Sequence, residues 1–371
     1  MRTGIFLLLL SAGAAYAADA PSAPAALSGL SDSVKGVVVV DVGEPAREKL
    51  QVPLRPVYVE QPVVLDRPNN GRYRPYIPTL DRVKAVFLAP WDPQRDPGKG
   101  YGVMEIDEIM AAINKTAAEL SRMGVKAILV GNPGPDLRAS MNEIKRLGGN
   151  MENVETFAKR DYHQNHVWFR DYGLLPIKDL QTGRWDNVSM IIRGKPLDDL
   201  LAYAQQRFGL RTVDSLDVSE TGGQLRGGNI LMDEAGRCYS AGFRHPLYES
   251  TFKCAKTITF PCRSDVCHVD EYVTFLKNDT VVTNQAEFVP ALRQAGVKKV
   301  LQVPYDVHLS LANVLIVNDT VFMMYLDAVK DKMLQAKAVF EGEGYRVYPV
   351  DSGGAGREYG AVHCLTKEIP R

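Results

Sequence analysis

The sequence predicts an α/β protein in which one strand–turn–strand module recurs about every forty residues. Three stretches share the order of an apolar strand, a tight polar turn and a second apolar strand, and they begin at Asn229, Tyr272 and Asn313. The Asp-Glu-Ala-Gly and Asn-Asp-Thr turns between these strands are typical of β-hairpins. Recurrence at this period favours modules repeated around an axis. The alternative is a chance succession of hairpins in an α/β domain.

Helical patterns separate many of the predicted strands from Val83 onward. The first helix is predicted over Ile106–Met123, where apolar residues recur at helical spacing and Gly124 provides a stop. Further helices are predicted over Asp136–Leu147, Leu197–Phe208, Glu287–Ala295 and Ala328–Glu341. Strands are predicted over Lys84–Pro90, Lys126–Val130, Val167–Ile177, Val188–Ile192, Asn229–Met232, Tyr272–Leu276, Val300–Val303, Asn313–Val317 and Tyr345–Val350.

The N-terminal segment has the pattern of a secretory signal peptide over residues 1–17. Arg2 supplies the positive charge, Ile5–Ala15 the apolar run, and Ala15-Tyr16-Ala17 the cleavage site. The apolar run is shorter than the roughly 20 residues that span a bilayer, although an uncleaved anchor is the alternative. We therefore expect an exported protein, periplasmic or secreted, without a membrane anchor after cleavage. Residues 18–80, rich in Pro, Ala and Ser, predict an extension with one strand-like run at Val37–Val42.

Charge and cysteine usage narrow the classes of partner and site. The 371 residues carry 44 basic and 44 acidic side chains without a basic stripe, which argues against nucleic acid as a partner. Four of the five cysteines fall close together, and two disulfides among them would be permitted outside the cytoplasm; these are Cys238, Cys254, Cys262 and Cys267. Cys364 is left over, as expected of a reactive thiol.

A metal site is the alternative use of some of these cysteines. Cys262, Cys267, His268 and Asp270 include metal-ligating residue types. Their spacing is loose for zinc, and no second ligand pair stands at a matching distance. We therefore expect no metal.

Three stretches place polar groups inside or beside apolar strands, where they are costly unless paired or used. In the first, Arg170 stands beside Asp171, which allows a structural ion pair. The second, Gly227-Gly228-Asn229, lacks the Lys-Ser/Thr ending of a phosphate loop and opens a strand, so a nucleotide site is not expected. In the third, strand alternation places His268 and Asp270 on one face.

Cys364 follows a glycine-rich approach and a short apolar run near the end of the chain. A buried small hydrophobe in a terminal strand is the alternative for such a cysteine. With His268, Asp171 and Asp270, however, the thiol completes a set of nucleophile, acid or base, and two carboxylates. Two enclosed carboxylates favour a cationic substrate group, most naturally a planar guanidinium. A neighbouring imidazolium or the bound guanidinium could favour the thiolate.

Four ordered motifs resemble those of the guanidino-group-modifying superfamily, with bacterial peptidylarginine deiminases and agmatine deiminases as the most similar branch. They are Trp168-x-Arg170-Asp171-x-Gly173, Gly227-Gly228-Asn229, His268-Val-Asp270 and Gly-x-x-His363-Cys364-Leu-Thr366. The resemblance runs from about Val83 to the C-terminus, so residues 81–371 are predicted to be a deiminase catalytic domain. Leu174 replaces the Pro that often follows the first motif. The resemblance implies a five-bladed, pseudo-symmetric α/β propeller, pentein-like and built from ββαβ repeats.

The resemblance also implies a role for each matching residue. Cys364 would be the nucleophile and His268 the general acid and base, while Asp171 and Asp270 would hold the guanidinium. No metal or organic cofactor is implied. Further substrate-binding positions are expected at Trp168, Arg170, Asn229 and Asn313, with Gly228 and Asn229 shaping the site. By strand alternation His363 is expected to point away from Cys364 and to be structural, and Thr366 to be a packing residue.

Two basic residues bear on the substrate. Arg193 and Lys195 follow the Arg-Asp-x-Gly motif by about two dozen residues, where bacterial peptidylarginine deiminases hold the carboxylate of a C-terminal arginine. Solvated strand-end cations are the alternative. Because export also favours an extracellular peptide or protein, we expect conversion of peptidyl-arginine to peptidyl-citrulline and ammonia through a covalent thiouronium. The alternatives are the small guanidine agmatine, converted to N-carbamoylputrescine, and transfer of the amidino group to an amine.

Overall fold

The structure, a computed structural model, describes residues 59–66, 71–90, 103–131, 133–158, 168–191, 197–218, 225–264, 266–306, 309–351 and 361–371. They all fall within the second of two units of the chain, Val37–Arg371. The predicted signal peptide and the predicted strand Val37–Val42 lie outside the described residues. None of the helices in the described ranges is long and apolar enough to cross a membrane.

Strands and helices follow each other much as predicted. The α-helices are α1 Val103–Arg122, α2 Pro135–Arg146, α3 Asp198–Phe208, α4 Leu247–Ser250, α5 Val289–Gln294 and α6 Lys330–Gly342. The strands are β1 Val63–Asp66, β2 Tyr73–Pro75, β3 Val83–Leu88, β4 Lys126–Gly131, β5 Val154–Ala158, β6 Gly173–Asp179, β7 Trp185–Ile191, β8 Arg211–Asp217, β9 Leu231–Met232, β10 Arg237–Ala241, β11 Lys256–Phe260, β12 Val273–Leu276, β13 Thr280–Thr283, β14 Lys299–Gln302, β15 Leu315–Val317, β16 Thr320–Tyr325, β17 Arg346–Asp351 and β18 Thr366–Pro370.

These strands form five sheets, and the same order of strands and helix recurs in each sheet. In each, an antiparallel strand pair is followed by a helix and by a strand that pairs in parallel with the second strand of the pair. The hairpin β6–β7, helix α3 and parallel strand β8 are one example. The others are β9–β10, α4, β11; β12–β13, α5, β14; and β15–β16, α6, β17. The hairpins predicted at Asn229, Tyr272 and Asn313 are therefore confirmed, and each belongs to a ββαβ unit.

The fifth sheet has the same order but takes its first strand from the end of the chain. Strand β18 pairs antiparallel with β3, and β3 pairs in parallel with β4 across helix α1. Strand β5 extends this sheet on the far side of β4. The C-terminal strand is thus the partner of a strand that begins at Val83.

The hairpin turns explain why these sequences turn where they do. In the β12–β13 hairpin, Asn278 and Asp279 adopt positive φ angles of 62° and 57°, as a tight turn between twisted strands requires. Asn318 does the same between β15 and β16, with φ of 56°. Asn and Asp tolerate this left-handed conformation better than other non-glycine residues. The turn chemistry predicted from the sequence is confirmed at both positions.

The described part of the predicted N-terminal extension adds edge strands to two sheets. Strand β1 pairs antiparallel with β11, and β2 pairs antiparallel with β6. An ion pair of 2.7 Å between Arg72 and Asp179 holds the start of β2 against the end of β6. This segment therefore covers sheet edges that would otherwise expose unpaired backbone groups.

Strand β18 carries charged side chains into the interior. Glu368 binds the guanidinium of Arg170 at 2.6 Å, and both side chains are buried. Nζ of Lys367 donates a 2.6 Å hydrogen bond to the backbone oxygen of Arg170. Burial first, and then the charge of Arg170, lower the pKa of Lys367 to about 7. The last strand is thus joined to the segment around Arg170 by polar contacts as well as by its pairing with β3.

Two disulfides join Cys238 to Cys254 and Cys262 to Cys267, and Cys364 is free. The second bond uses both cysteines of the alternative metal-site interpretation. Within the ranges that the structure describes, no group of three or more His, Cys, Asp or Glu side chains is placed to hold a metal ion.

We expect the Cys238–Cys254 disulfide to contribute more stability than the Cys262–Cys267 disulfide. Their sequence separations are 16 and 5 residues. The loss of conformational entropy in the unfolded chain is therefore expected to stabilise the folded protein by about 3 and about 2 kcal/mol respectively. Urea unfolding of the paired Cys→Ala variants measures both losses. The expectation fails if the variant without the Cys262–Cys267 disulfide is less stable than the variant without the Cys238–Cys254 disulfide.

We expect Lys367→Met to change the pH dependence of stability. Because the pKa is lowered to about 7 from an unfolded value near 10.4, the unfolded chain binds the extra proton between these pH values. The stability of the wild type therefore rises with pH through this window, by up to about 1.4 kcal/mol per unit, relative to a chain without this amine.

The free energies of unfolding of wild type and Lys367→Met, measured from pH 6.5 to 10, test this slope. The variant also removes the donor to the Arg170 oxygen, which shifts the difference but not its pH dependence. Lys145→Met, on an exposed position of α2, is the matched control. A difference between wild type and Lys367→Met that stays constant across the window would contradict the expectation.

Candidate active site

The predicted site residues occupy equivalent places in the five sheets. Asp171, Asn229, Asn313 and Cys364 each stand two residues before the first strand of a hairpin or strand pair: β6, β9, β15 and β18. In the remaining sheet Glu271 has this position and Asp270 precedes it. The repeated architecture therefore supplies one polar segment from each sheet, and their contacts bring these segments together.

Three of these segments are 3-10 turns and not strands. They are Phe169–Asp171, Gly227–Asn229 and Val269–Glu271. The strand predicted from Val167 onward is wrong in its first part, because pairing with β7 begins only at Gly173. Strand alternation is likewise not what places His268 and Asp270. His268 precedes the third turn and Asp270 lies inside it.

Asn313 holds Cys364 through both ends of its side-chain amide. Its Nδ2 lies 3.1 Å from the Cys364 Sγ and also donates to the backbone oxygen of Asp270 at 3.2 Å. Its Oδ1 accepts the backbone N–H of Cys364 at 3.3 Å. On the other side, the backbone N–H of Arg170 donates to the oxygen of Cys364 at 3.1 Å. Asn313 therefore contacts both the thiol and the turn that carries Asp270.

The electrostatic surroundings of Cys364 oppose its ionisation. The thiol is buried, and its Sγ lies 3.6 Å from Oδ2 of Asp270. Burial first, and then the charges of Asp270, Asp171 and Glu271, raise the pKa of Cys364 well above its ordinary value. The thiol is therefore protonated at neutral pH unless positive charge is brought beside it.

Two buried carboxylates in this cluster have acceptor oxygens to spare. Asp171 and Asp270 are 6% and 2% exposed, and Oδ1 of each receives no hydrogen bond from the described residues. Oδ1 of Asp171 lies 3.5 Å from Nδ1 of His268, within ion-pair range. A buried acceptor without a donor costs free energy, so both oxygens are suited to a ligand that brings N–H groups.

Asp270 is ionised in spite of its burial. Burial raises the pKa of this carboxyl, but the hydrogen bond from His363 and the charges of His363, His268 and Arg170 outweigh burial and lower it. Nδ1 of His363 lies 2.7 Å from Oδ2 of Asp270. The site therefore presents a carboxylate, and not a carboxylic acid, beside the thiol.

Gly228 is packed against the residues of the His-Val-Asp motif. A Cβ atom at this position would lie 2.7 Å from Nδ1 of His268 and 3.0 Å from Oδ1 of Asp270. Next to it, Oδ1 of Asn229 accepts the backbone N–H groups of Val269 and Ala241, at 3.1 and 2.6 Å. Asn229 thus fixes the turn that carries Asp270, and Gly228 leaves room for the two side chains.

Arg170 and Trp168, predicted substrate-binding residues, contact the protein itself. The guanidinium of Arg170 binds Glu368 and donates through Nε to the backbone oxygen of His363 at 3.2 Å. The ion pair considered from the sequence had Asp171 as the partner, whereas the structure pairs Arg170 with Glu368. Trp168 is half-buried and packs against a core cluster that includes Val362 and Leu365.

The expectation that His363 points away from Cys364 is wrong. It assumed that His363 and Cys364 alternate within a strand, but β18 begins only at Thr366. The hydroxyl of Thr366 donates to the backbone oxygens of Val362 and His363, each at 3.1 Å, so the residues before it form a turn. This turn directs His363 onto Asp270. In the sequence, the one indication that His363 belongs to the site was its position next to Cys364.

Other predicted features fall outside the described residues. Arg193 and Lys195, the proposed carboxylate ligands, belong to residues 192–196, and most of the glycine-rich approach to Cys364 belongs to residues 352–360. Of the predicted set, the structure brings together Cys364, Asp270 and Asn313, with Asp171 and His268 beside them. Glu368 and Lys367 support this cluster and were not singled out from the sequence.

Comparison with known proteins finds relatives at the level of structure. No protein-family profile and no curated protein sequence matches this chain. Among solved structures, an agmatine deiminase of C. jejuni aligns with a TM-score of 0.58 at 15% identity, covering 84% of this chain and 98% of that one. An agmatine deiminase of Enterococcus faecalis aligns with a TM-score of 0.57 at 14% identity, covering 81% and 96%.

A further neighbour has a different activity on the same architecture. An amidinotransferase from Microseira wollei, in the saxitoxin biosynthetic pathway, aligns with a TM-score of 0.52 at 13% identity, covering 82% of this chain and 97% of that one. At such low identities these similarities establish the fold. The chain therefore has the fold of the pentein enzymes, the guanidino-group-modifying superfamily that its four ordered motifs resemble.

Proposed function

We propose that this protein hydrolyses the guanidinium group of its substrate and releases ammonia, with Cys364 as the nucleophile. The observation that carries the proposal is the pair of buried carboxylates, Asp171 and Asp270, whose Oδ1 atoms receive no donor from the described residues. They lie in the same cluster as a buried free thiol. The pentein fold, shared with deiminases, supports the same class of reaction.

A guanidinium matches this arrangement in both charge and hydrogen bonding. It is planar, permanently charged and carries several N–H donors in a fixed geometry. Each hydrogen bond between its N–H groups and a carboxylate is worth about 1.5–3 kcal/mol. The ligand would thus satisfy the Oδ1 atoms of Asp171 and Asp270 and neutralise charge that otherwise disfavours the thiolate.

Substrate binding and nucleophile activation are therefore coupled. The positive charge of the guanidinium offsets the carboxylates that raise the pKa of Cys364. The thiol proton passes to His268, the Sγ–carbon bond forms, and His268 returns a proton to the departing amine as the carbon–nitrogen bond breaks. Ammonia leaves and a thiouronium remains on Cys364.

Hydrolysis then uses the same residues. His268 accepts a proton from water, the water oxygen bonds to the thiouronium carbon, and the Sγ–carbon bond breaks. The hydroxyl proton of the tetrahedral adduct passes to the departing sulfur, so the ureido product leaves and the thiol is restored, and the proton that His268 took from water is released to solvent. Asp171, 3.5 Å from His268, would stabilise the imidazolium that forms in each half of the reaction.

For the substrate we propose first a small guanidine of the agmatine type. The agmatine deiminases among the structural neighbours support agmatine better than the peptidyl-arginine expected from the sequence. A peptide with C-terminal arginine is the second candidate. Arg193 and Lys195 favour it, as does the predicted signal peptide. The two disulfides support export, since such bonds persist in oxidising compartments.

We also propose that the five sheets close into a propeller with this site at its axis. This proposal is supported by the origin of five site residues, each of which comes from a different sheet with the same order of strands and helix. The residues are Asp171, Asn229, Asp270, Asn313 and Cys364. Their segments contact one another, as expected where five modules meet.

Cys364→Ser is expected to reduce ammonia release by on the order of 10³-fold or more, because the covalent step is lost. Ammonia release from agmatine and from a peptide with C-terminal arginine, without any added amine, measures this loss. Mass spectrometry of the products identifies the ureido group. Retained ammonia release in the variant would refute the nucleophile. Activity that requires an amine acceptor would instead identify an amidinotransferase.

Gly228→Ala is expected to reduce kcat/KM on the order of 100-fold, because the added methyl displaces His268 or Asp270. Gly342→Ala, at the end of α6, is the matched control, because a Cβ there has no neighbour within 4 Å. Steady-state kinetics and thermal unfolding of both variants separate a local effect from loss of the fold. Equal activities of the two variants would contradict the prediction.

A further inference from the structure

We propose that His363 is a positioning residue that keeps Asp270 ionised and oriented for the guanidinium, an inference that rests on the proposed function. Nδ1 of His363 lies 2.7 Å from Oδ2 of Asp270, and both side chains are buried. This contact engages Oδ2 of the Asp270 carboxylate. It leaves Oδ1 of Asp270, which receives no hydrogen bond from them, for the ligand.

The hydrogen bond determines which oxygen of Asp270 remains free. An imidazole Nδ1–H that donates to Oδ2 fixes the rotation of the carboxylate. The backbone of His363 is itself held, because its oxygen accepts Nε of Arg170 at 3.2 Å and N–H of Thr366 at 3.1 Å. The donor is therefore presented from a rigid turn that also carries Cys364.

The same oxygen also faces the nucleophile. Sγ of Cys364 lies 3.6 Å from Oδ2 of Asp270, so the thiol and His363 share one acceptor atom. When the thiol loses its proton, Asp270 loses that donor and faces a second negative charge. His363 is the donor that stays, and it keeps Oδ2 satisfied in both protonation states of the thiol.

The other groups that face Asp270 do not replace this contact. Arg170 contributes positive charge, and Asn313 donates to the backbone oxygen of Asp270 and not to its carboxylate. Gly228 approaches the carboxylate without a side chain. Without His363, burial is opposed by charge at a distance and by the thiol of Cys364, a weak donor that is lost when the thiol ionises. A protonated Asp270 would offer the guanidinium a donor where an acceptor is required.

Two substitutions separate the hydrogen bond from the ring. In His363→Asn the side-chain Nδ2 stands as many bonds from the backbone as the imidazole Nδ1, so it restores a donor that does not titrate. His363→Leu has comparable bulk and no donor. Both are made in the Cys364→Ser background, so that binding is measured without turnover, and circular dichroism with thermal unfolding verifies that each variant is folded.

The test is calorimetric measurement of ligand binding from pH 4.5 to 8. The ligand is agmatine or a peptide with C-terminal arginine, depending on which of the two the wild type deiminates. His363→Leu is expected to weaken binding at pH 7 by about 10- to 100-fold, the loss typical of one hydrogen bond to a charged group. On acidification this variant should also lose binding at a higher pH than the parent, because removing His363 raises the pKa of Asp270. His363→Asn should remain within about fivefold of the parent at pH 7, with its acid limb between those of the parent and His363→Leu, because it keeps the donor and loses the charge of His363.

The outcomes distinguish this inference from the proposed function. If the Cys364→Ser parent binds its guanidine and His363→Leu binds it equally well with the same acid limb, the positioning role is overturned. If His363→Asn is as weak as His363→Leu, the donor is not the contribution of His363, and the inference again fails. If the wild type deiminates neither compound and the parent binds neither, the proposed function fails first, and the inference with it.

Discussion

A buried thiol beside buried carboxylates is the constraint on which this site depends. Burial disfavours a thiolate at Cys364, as do the negative charges of Asp270, Asp171 and Glu271. The protein alone therefore keeps this thiol protonated. A cation with N–H groups resolves both problems, since it supplies the missing donors and the missing positive charge. In the proposed reaction, the free energy of binding the substrate is in this way used to generate the thiolate.

The repeated architecture explains how one chain assembles such a cluster. In each ββαβ unit a short segment precedes the first strand, and these segments are held in place by contacts with one another. Asn229 holds the backbone of Val269, Asn313 holds the backbone of Cys364, and the turn at Arg170 holds that of His363 and Cys364. The side chains that would touch a substrate are thus oriented by neighbours from other sheets, and a small displacement of one segment is transmitted to the rest.

Sequence patterns predicted most of the helices and hairpins, and they singled out residues that the structure brings together, because both depend on local properties. Hairpin turns with Asn and Asp, helical spacing and the ordered motifs containing Asp171, His268, Asp270 and Cys364 are all visible over short stretches. What could not be predicted depends on contacts across the fold. Arg170 pairs with Glu368, 198 residues away, although Asp171 is its neighbour in the sequence. His363 was misassigned because alternation was applied to a segment that the hydroxyl of Thr366 holds as a turn.

The pairing of β18 with β3 gives the site a particular relation to folding. Cys364 is positioned only when a strand from the end of the chain has reached one that begins at Val83. Closing so long a loop is entropically costly and is slow compared with forming a local hairpin. Among the described residues, Cys364 therefore joins its neighbours in the site through one of the least local strand pairings. Partly folded chains would carry the carboxylates without a thiol placed to react, and fraying of this single strand would remove reactivity while most of the sheets stayed intact.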